Sequence, residues 1–233
     1  MHSEARQLPL DIRWHDIASL EQFHPGRNAV TLDALRSLLK GESMEPLFIY
    51  GGSGSGKTHL LQAACRRLGE SGSPVFYLSL DQAGRTPAML DGLDSMALVA
   101  IDSLERLNGD SEMEQALFHC YNRVRDGGGR LLIAARKRPA DLSLGLADLR
   151  SRLNWGLVQR MLPLQDDDLS EALRQRARHR GLELPEETST FMLSRLSRDP
   201  AGLFALLDRL DRAALEAQRR LTIPFVRQVL GLG

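Results

Sequence analysis

Short apolar runs alternate with stretches of helical periodicity along most of the chain. The runs cover residues 47–50, 74–80, 97–102, 130–135 and 157–162. Most are continuously hydrophobic rather than alternating, the pattern of strands buried on both faces. The spacing predicts a helix over 31–40, with Leu32, Leu35, Leu38 and Leu39 on one side, and further helices over 59–68 and 112–125. Strands alternating with helices predict an α/β fold with a parallel sheet core. After Pro163 the strands stop. Asp167 and Asp168 open a helix that runs to Arg180, where Gly181 ends it, and Pro185 opens another. A third spans 200–220, and Thr222-Ile223-Pro224 begins a short last one. The chain thus divides into a polar, mobile tail (1–15), an α/β domain (16–162) and a small helical domain (163–233).

Between the first run and the helix that follows lies Gly51-Gly52-Ser53-Gly54-Ser55-Gly56-Lys57-Thr58, a complete G-x-x-x-x-G-K-[ST] sequence in a strand–loop–helix setting. Glycines there let successive backbone N–H groups turn toward phosphate oxygens, with the positive end of a helix behind them. His59 follows directly. Lys57 adds a charge for the β and γ phosphates, and the Thr58 hydroxyl suits Mg²⁺. The run 97–102 ends in Asp102, the carboxylate that such an ion needs. The next position holds Ser103 rather than a second acid. Glu105 shares its strand parity but lies about 6.6 Å farther along an extended chain, beyond the reach a general base requires. Nucleotide binding and nucleotide hydrolysis are therefore separate expectations.

Composition narrows the picture a little. The 233 residues carry 30 basic and 30 acidic side chains, a net charge of zero, which argues against strong direct DNA binding. Residues 163–233 hold eleven arginines against eleven acids, the mixed faces of solvated helices. No run approaches the roughly 20 apolar residues needed to span a bilayer, and no signal-peptide core is evident. Cys65 and Cys120 fall in helical patterns without metal spacing, as buried thiols of a reducing cytoplasm would.

With these residues assembled, the chain resembles the DnaA/Hda family of bacterial AAA+ P-loop proteins, and its regulators more than its initiators. Phe23-His24-Pro25-Gly26-Arg27-Asn28 is similar to the family's adenine-contacting segment, which puts Pro25 and Asn28 at the nucleotide. Ser151-Arg152-Leu153-Asn154-Trp155-Gly156 is similar to its S-R-[FL]-x-W-G box, whose arginine reaches a neighbouring subunit's nucleotide. Trp155 is expected to be a core anchor. Gln7-Leu8-Pro9-Leu10-Asp11-Ile12 resembles the Q-L-x-L-x-[LF] peptide that binds the β sliding clamp, through Gln7, Leu8, Leu10 and Ile12. The closing 221–226 segment is also regulator-like. The match departs at Ala134-Ala135-Arg136, where the family carries small polar sensors followed by Asp-Arg. It departs again at Ala201, opposite a sensing arginine that nearby Arg198 does not align with.

The resemblance implies a cytoplasmic bacterial negative regulator of replication initiation. It would bind ADP or ATP with Mg²⁺, meet DnaA and the β clamp, touch DNA only through the clamp, and hydrolyse its own nucleotide weakly. Arg152 would act in trans on ATP held by DnaA. The chain stops at Gly233, without length for the initiator's helix-turn-helix domain. Two alternatives stay open: a free-standing AAA+ ATPase of the helicase-loader type, and a non-enzymatic DnaA-like adaptor. Self-association is compatible with either.

Overall fold

The computed structural model describes residues 18–195 and 200–231. The candidate clamp peptide, with Gln7, Leu8, Leu10 and Ile12, therefore lies outside the described residues, as does Arg198. Eight helices and five strands follow in order among the described residues. They are α1 (Ala29–Lys40), β1 (Leu47–Tyr50), α2 (Lys57–Glu70), β2 (Val75–Ser79), β3 (Leu98–Asp102), α3 (Ser111–Asp126) and β4 (Arg130–Ala135). Then come α4 (Ala147–Leu153), β5 (Leu157–Arg160), α5 (Asp166–His179), α6 (Glu186–Arg195), α7 (Pro200–Ala217) and α8 (Ile223–Leu230).

All strand pairings are parallel, in the order β2-β3-β4-β1-β5. Side chains alternate across the sheet, so each of β1 to β4 feeds two cores. Phe48, Phe76, Leu78, Val99, Ile101, Leu131 and Ile133 pack on α3 and α4. Leu47, Ile49, Tyr77, Leu98, Ala100, Leu132 and Ala134 pack on α1 and α2. A separate cluster, including Leu173, Met192, Leu207 and Phe225, joins the four helices α5 to α8. Both cysteines are buried free thiols, and desolvation pushes Cys65 to about 12 and Cys120 to about 11, so neither is a thiolate at neutral pH.

Local signals account for the element ends. Gly41, at φ +77°, closes α1 by donating to Leu38 and Ser37 carbonyls. Asp110 caps α3 by accepting from the Met113 N–H at 3.1 Å. α5 opens on three aspartates and ends on Arg176, Arg178 and His179, matching the helix dipole. Its cap position is Gln165, one residue before the aspartates, and the Gln165 side chain makes no capping hydrogen bond.

Three features differ from the sequence reading. First, β3 stops at Asp102: Ser103 turns into the left-handed region at φ +59° and a short 3-10 turn, Leu104–Arg106, follows. Glu105 thus has no strand parity with Ser103. Second, the S-R-L-N-W-G box begins inside α4, a helix that periodicity did not predict. Third, Trp155 is 61% exposed rather than a core anchor. The cause is the residue after it. Gly156 adopts φ +133°, and a Cβ there would lie 2.4 Å from the Pro46 carbonyl oxygen. That oxygen accepts the Leu157 N–H at 3.0 Å, starting β5 beside β1. The backbone passes flush over Pro46 while Leu153 supplies the buried anchor.

Gly156→Ala is therefore expected to destabilise the protein by at least about 2 kcal/mol, combining backbone strain with a steric clash. Urea unfolding of the variant beside the parent checks this.

Candidate functional site

The sharp turn after β1 carries the phosphate-loop sequence to the carboxyl end of the sheet. Gly51 donates to the Ala135 carbonyl at 3.1 Å, fixing the loop's origin between β1 and β4. A Cβ on Gly51 would lie 2.3 Å from the Met161 carbonyl oxygen, so no side chain fits there. Gly54 and Gly56 adopt φ +73° and +90°, conformations that glycine tolerates best. Ser53 lies at the turn's tip, and Ser55 is buried, its hydroxyl donating to the Gly52 carbonyl at 2.9 Å. No backbone–backbone hydrogen bond is donated by the N–H groups of residues 52–56 among the described residues. Those groups precede α2, whose dipole adds positive potential, the arrangement that receives a phosphate.

Lys57 Nζ folds back on the loop, donating to the carbonyls of Gly51 at 2.7 Å and Gly52 at 2.8 Å and to Ser55 Oγ at 3.2 Å. Burial lowers its pKa, partly offset by Asp102 and Glu105. Thr58 Oγ1 donates to Asp102 Oδ2 at 2.6 Å, drawing α2 to the end of β3. Asp102 is buried and also accepts from Tyr77 Oη at 3.3 Å and from the Ser103 N–H at 2.7 Å. Desolvation, followed by the charge of Asp102, raises the Tyr77 pKa, so its hydroxyl stays a donor. Thr58 and Asp102 thus supply a hydroxyl and a carboxylate side by side, a donor pair of the hard-oxygen type that Mg²⁺ takes. An ion held there would neutralise phosphate charge. The loop and this pair fit a magnesium nucleotide.

The position of a second acid remains empty of one. Glu105 is committed elsewhere: it accepts from the Arg136 backbone N–H at 3.0 Å and pairs with the Arg136 guanidinium at 3.2 Å. This contact joins the ends of β3 and β4, and it opposes use of Glu105 as a general base.

The segment similar to the adenine-contacting one runs between loop and lid. Asn28 is buried, and its amide makes a reciprocal pair with Leu162, donating to the carbonyl at 2.9 Å and accepting the N–H at 2.7 Å. It ties α1's start to the chain leaving β5 rather than standing free. Pro25 accepts the Asn28 N–H at 2.7 Å. His24 reaches Asp168 at 3.5 Å, and Gln175 donates to the Glu21 carbonyl at 3.2 Å, both links to α5. His59 packs against Phe23 with ring centroids 5.7 Å apart, and its Nε2 lies 2.9 Å from the Ser19 carbonyl. Burial lowers the His59 pKa, with the Arg176 charge a smaller contribution of the same sign.

Arg152 stands on the last turn of α4, away from the phosphate loop's own contacts. α3 grips this short helix at both ends. The buried Glu114 accepts the N–H groups of Gly145 at 3.1 Å and Leu146 at 2.7 Å, just before the helix. Tyr121, also buried, donates to the Arg152 carbonyl at 3.0 Å, where the helix ends. Asn154 Nδ2 donates to the Arg150 carbonyl at 2.8 Å. Glu114 and Tyr121 were not singled out by motif; their partners are distant in sequence, and only the fold joins them.

Sheet order, phosphate loop and helical lid define an AAA+-type P-loop protein. A family model described as the bacterial DnaA ATPase domain matches residues 19–160, and one described as the Hda lid domain matches residues 166–230. The chain belongs to the DnaA family, with a lid of the Hda type. Domain III of DnaA from Thermotoga maritima is 24% identical, over 96% of this chain and 98% of that one, with a TM-score of 0.76. AMPPCP-bound DnaA from Aquifex aeolicus is 25% identical, over 86% and 68%, with a TM-score of 0.70. A T158V variant of Thermotoga maritima RuvB, 19% identical over 94% and 73% with a TM-score of 0.68, shares the fold.

A lowered His59 pKa makes stability pH-dependent with a defined sign. The unfolded imidazole takes its proton as pH falls through about 6.5, while the folded one resists. Stability is therefore full above that range and declines below it. Urea midpoints at pH 7.5 and 5.5 should separate more for the parent than for His59→Gln.

Proposed function

We propose that this protein is an Hda-type negative regulator of replication initiation, acting on DnaA-bound ATP. In this reading residues 51–58 and His59 hold ADP or ATP, Thr58 and Asp102 hold its Mg²⁺, and Pro25 with the segment pinned by Asn28 flanks the adenine. The bound nucleotide joins the sheet domain to the lid and so shapes the docking face. Residues 7–12 dock on the β sliding clamp, with Gln7 satisfying polar groups and Leu8, Leu10 and Ile12 filling apolar ones. DNA is met only through the clamp.

The observation that carries the reading is the contrast between two sites. The protein's own loop has Asp102 but no free acid beside it, since Glu105 is paired with Arg136. Arg152, by contrast, has no carboxylate partner among the described residues and stacks at 4.9 Å on an exposed indole. A guanidinium held at the surface without a counter-charge suits delivery to a partner's γ-phosphate, where it stabilises transition-state charge. Hydrolysis then happens on DnaA and leaves it ADP-bound. A cytoplasmic bacterial setting follows from this role, and no described helix is long and apolar enough to cross a membrane.

Adding the protein and clamp-loaded DNA to ATP-bound DnaA should accelerate hydrolysis of the DnaA nucleotide, and Arg152→Ala should reduce that stimulation by roughly 10³-fold. A fully active variant would favour the adaptor reading. Rapid turnover by the isolated protein would favour a free-standing ATPase. Gln7→Ala should weaken binding to immobilised clamp by about tenfold, a loss of about 1.4 kcal/mol; unchanged binding would remove residues 7–12 from the interface.

A further inference from the structure

Trp155 is the largest exposed aromatic surface among the described residues, and two arginines converge on it. The guanidinium of Arg152 lies 4.9 Å from the ring centroid, and that of Arg125 lies 5.4 Å from the same ring. Arg125 comes from α3, one helical turn beyond Tyr121, the residue that bonds the Arg152 carbonyl. The contact therefore has a rigid base: α4 is held by Glu114 in front and Tyr121 behind, and the Gly156 backbone fixes where the indole emerges.

An arginine side chain with no ion pair ordinarily samples many rotamers, and ordering it at the moment of reaction opposes catalysis. A flat, electron-rich face restricts that freedom without neutralising the charge, which a carboxylate would do. Arg125 is paired with Asp126 at 3.3 Å, so of the two cations on the ring it is the one already balanced. Arg152 is the one left with its charge available. The geometry points to Trp155 as the positioning residue for Arg152, an indole rest that preorganises the guanidinium for a phosphoryl group presented by a second protein. This inference rests on the proposed role of Arg152 and adds to it how the side chain is aimed.

A residue that aims the guanidinium alters the rate within the assembled complex rather than the assembly itself. Hydrolysis of DnaA-bound ATP would be followed with clamp-loaded DNA at increasing concentrations of this protein, for the parent, Trp155→Ala, Trp155→Phe and Arg152→Ala. Trp155→Ala should lower the maximal rate by about three- to thirtyfold, the span of a partly exposed cation–π contact. The half-saturating concentration should stay unchanged, and Trp155→Phe, which keeps an aromatic face, should recover most of the rate. Matching thermal midpoints for the variants exclude misfolding. An unaltered maximal rate in Trp155→Ala overturns the inference, and so does a loss confined to half-saturation, which would make Trp155 an interface anchor only. In either case an inactive Arg152→Ala leaves the broader proposal standing. Full activity of Arg152→Ala removes both.

Discussion

Because every strand runs the same way, all five carboxyl ends open on one edge of the sheet. Parallel strands require crossover connections, and these bring β4 between β1 and β3. Loop residues from one strand and a carboxylate two strands away can then meet only by reaching across. The 2.6 Å bond from Thr58 to Asp102 is that reach. Asp102, buried at the end of β3 with three donors around it, is the fixed end of that reach. Ligands of open α/β sheets bind at this edge for the same topological reason.

The two ends of the sheet carry two kinds of chemistry, with the phosphate loop at the carboxyl end and Arg152 by the start of β5 at the amino end. On the loop side, charges are internally balanced: Lys57 leans on loop carbonyls and Glu105 is closed by Arg136. On the α4 side they are deliberately unequal, with Arg152 supported by packing, a backbone hydrogen bond and an aromatic ring instead of an acid. The first arrangement suits holding a ligand. The second leaves a positive charge uncancelled.

Much of this was legible in the chain. Strands buried on both faces announce themselves, so 130–135 was read to the residue, and the phosphate loop and Asp102 follow from spacing. Other parts were not. α4 has only seven residues, too few for periodicity to separate from noise. The positive φ of Ser103 falls on a residue type that gives no warning of it. Trp155 reads as core because tryptophan usually is; its exposure depends on Pro46, more than a hundred positions earlier. The Asn28–Leu162 pair joins residues 134 apart, which no local pattern encodes. What sequence conveys well is periodicity and loop chemistry; what it hides are contacts decided by topology.

That last pair has a mechanical consequence. Leu162 is where the chain leaves the sheet for the lid, and both of its backbone polar groups are held by one buried amide. Any swing of the four-helix cap must therefore pivot downstream of it, in the short stretch before Asp166. The 23–28 segment and the hinge's fixed post are one rigid fitting, so whatever tightens that segment also limits the lid's arc.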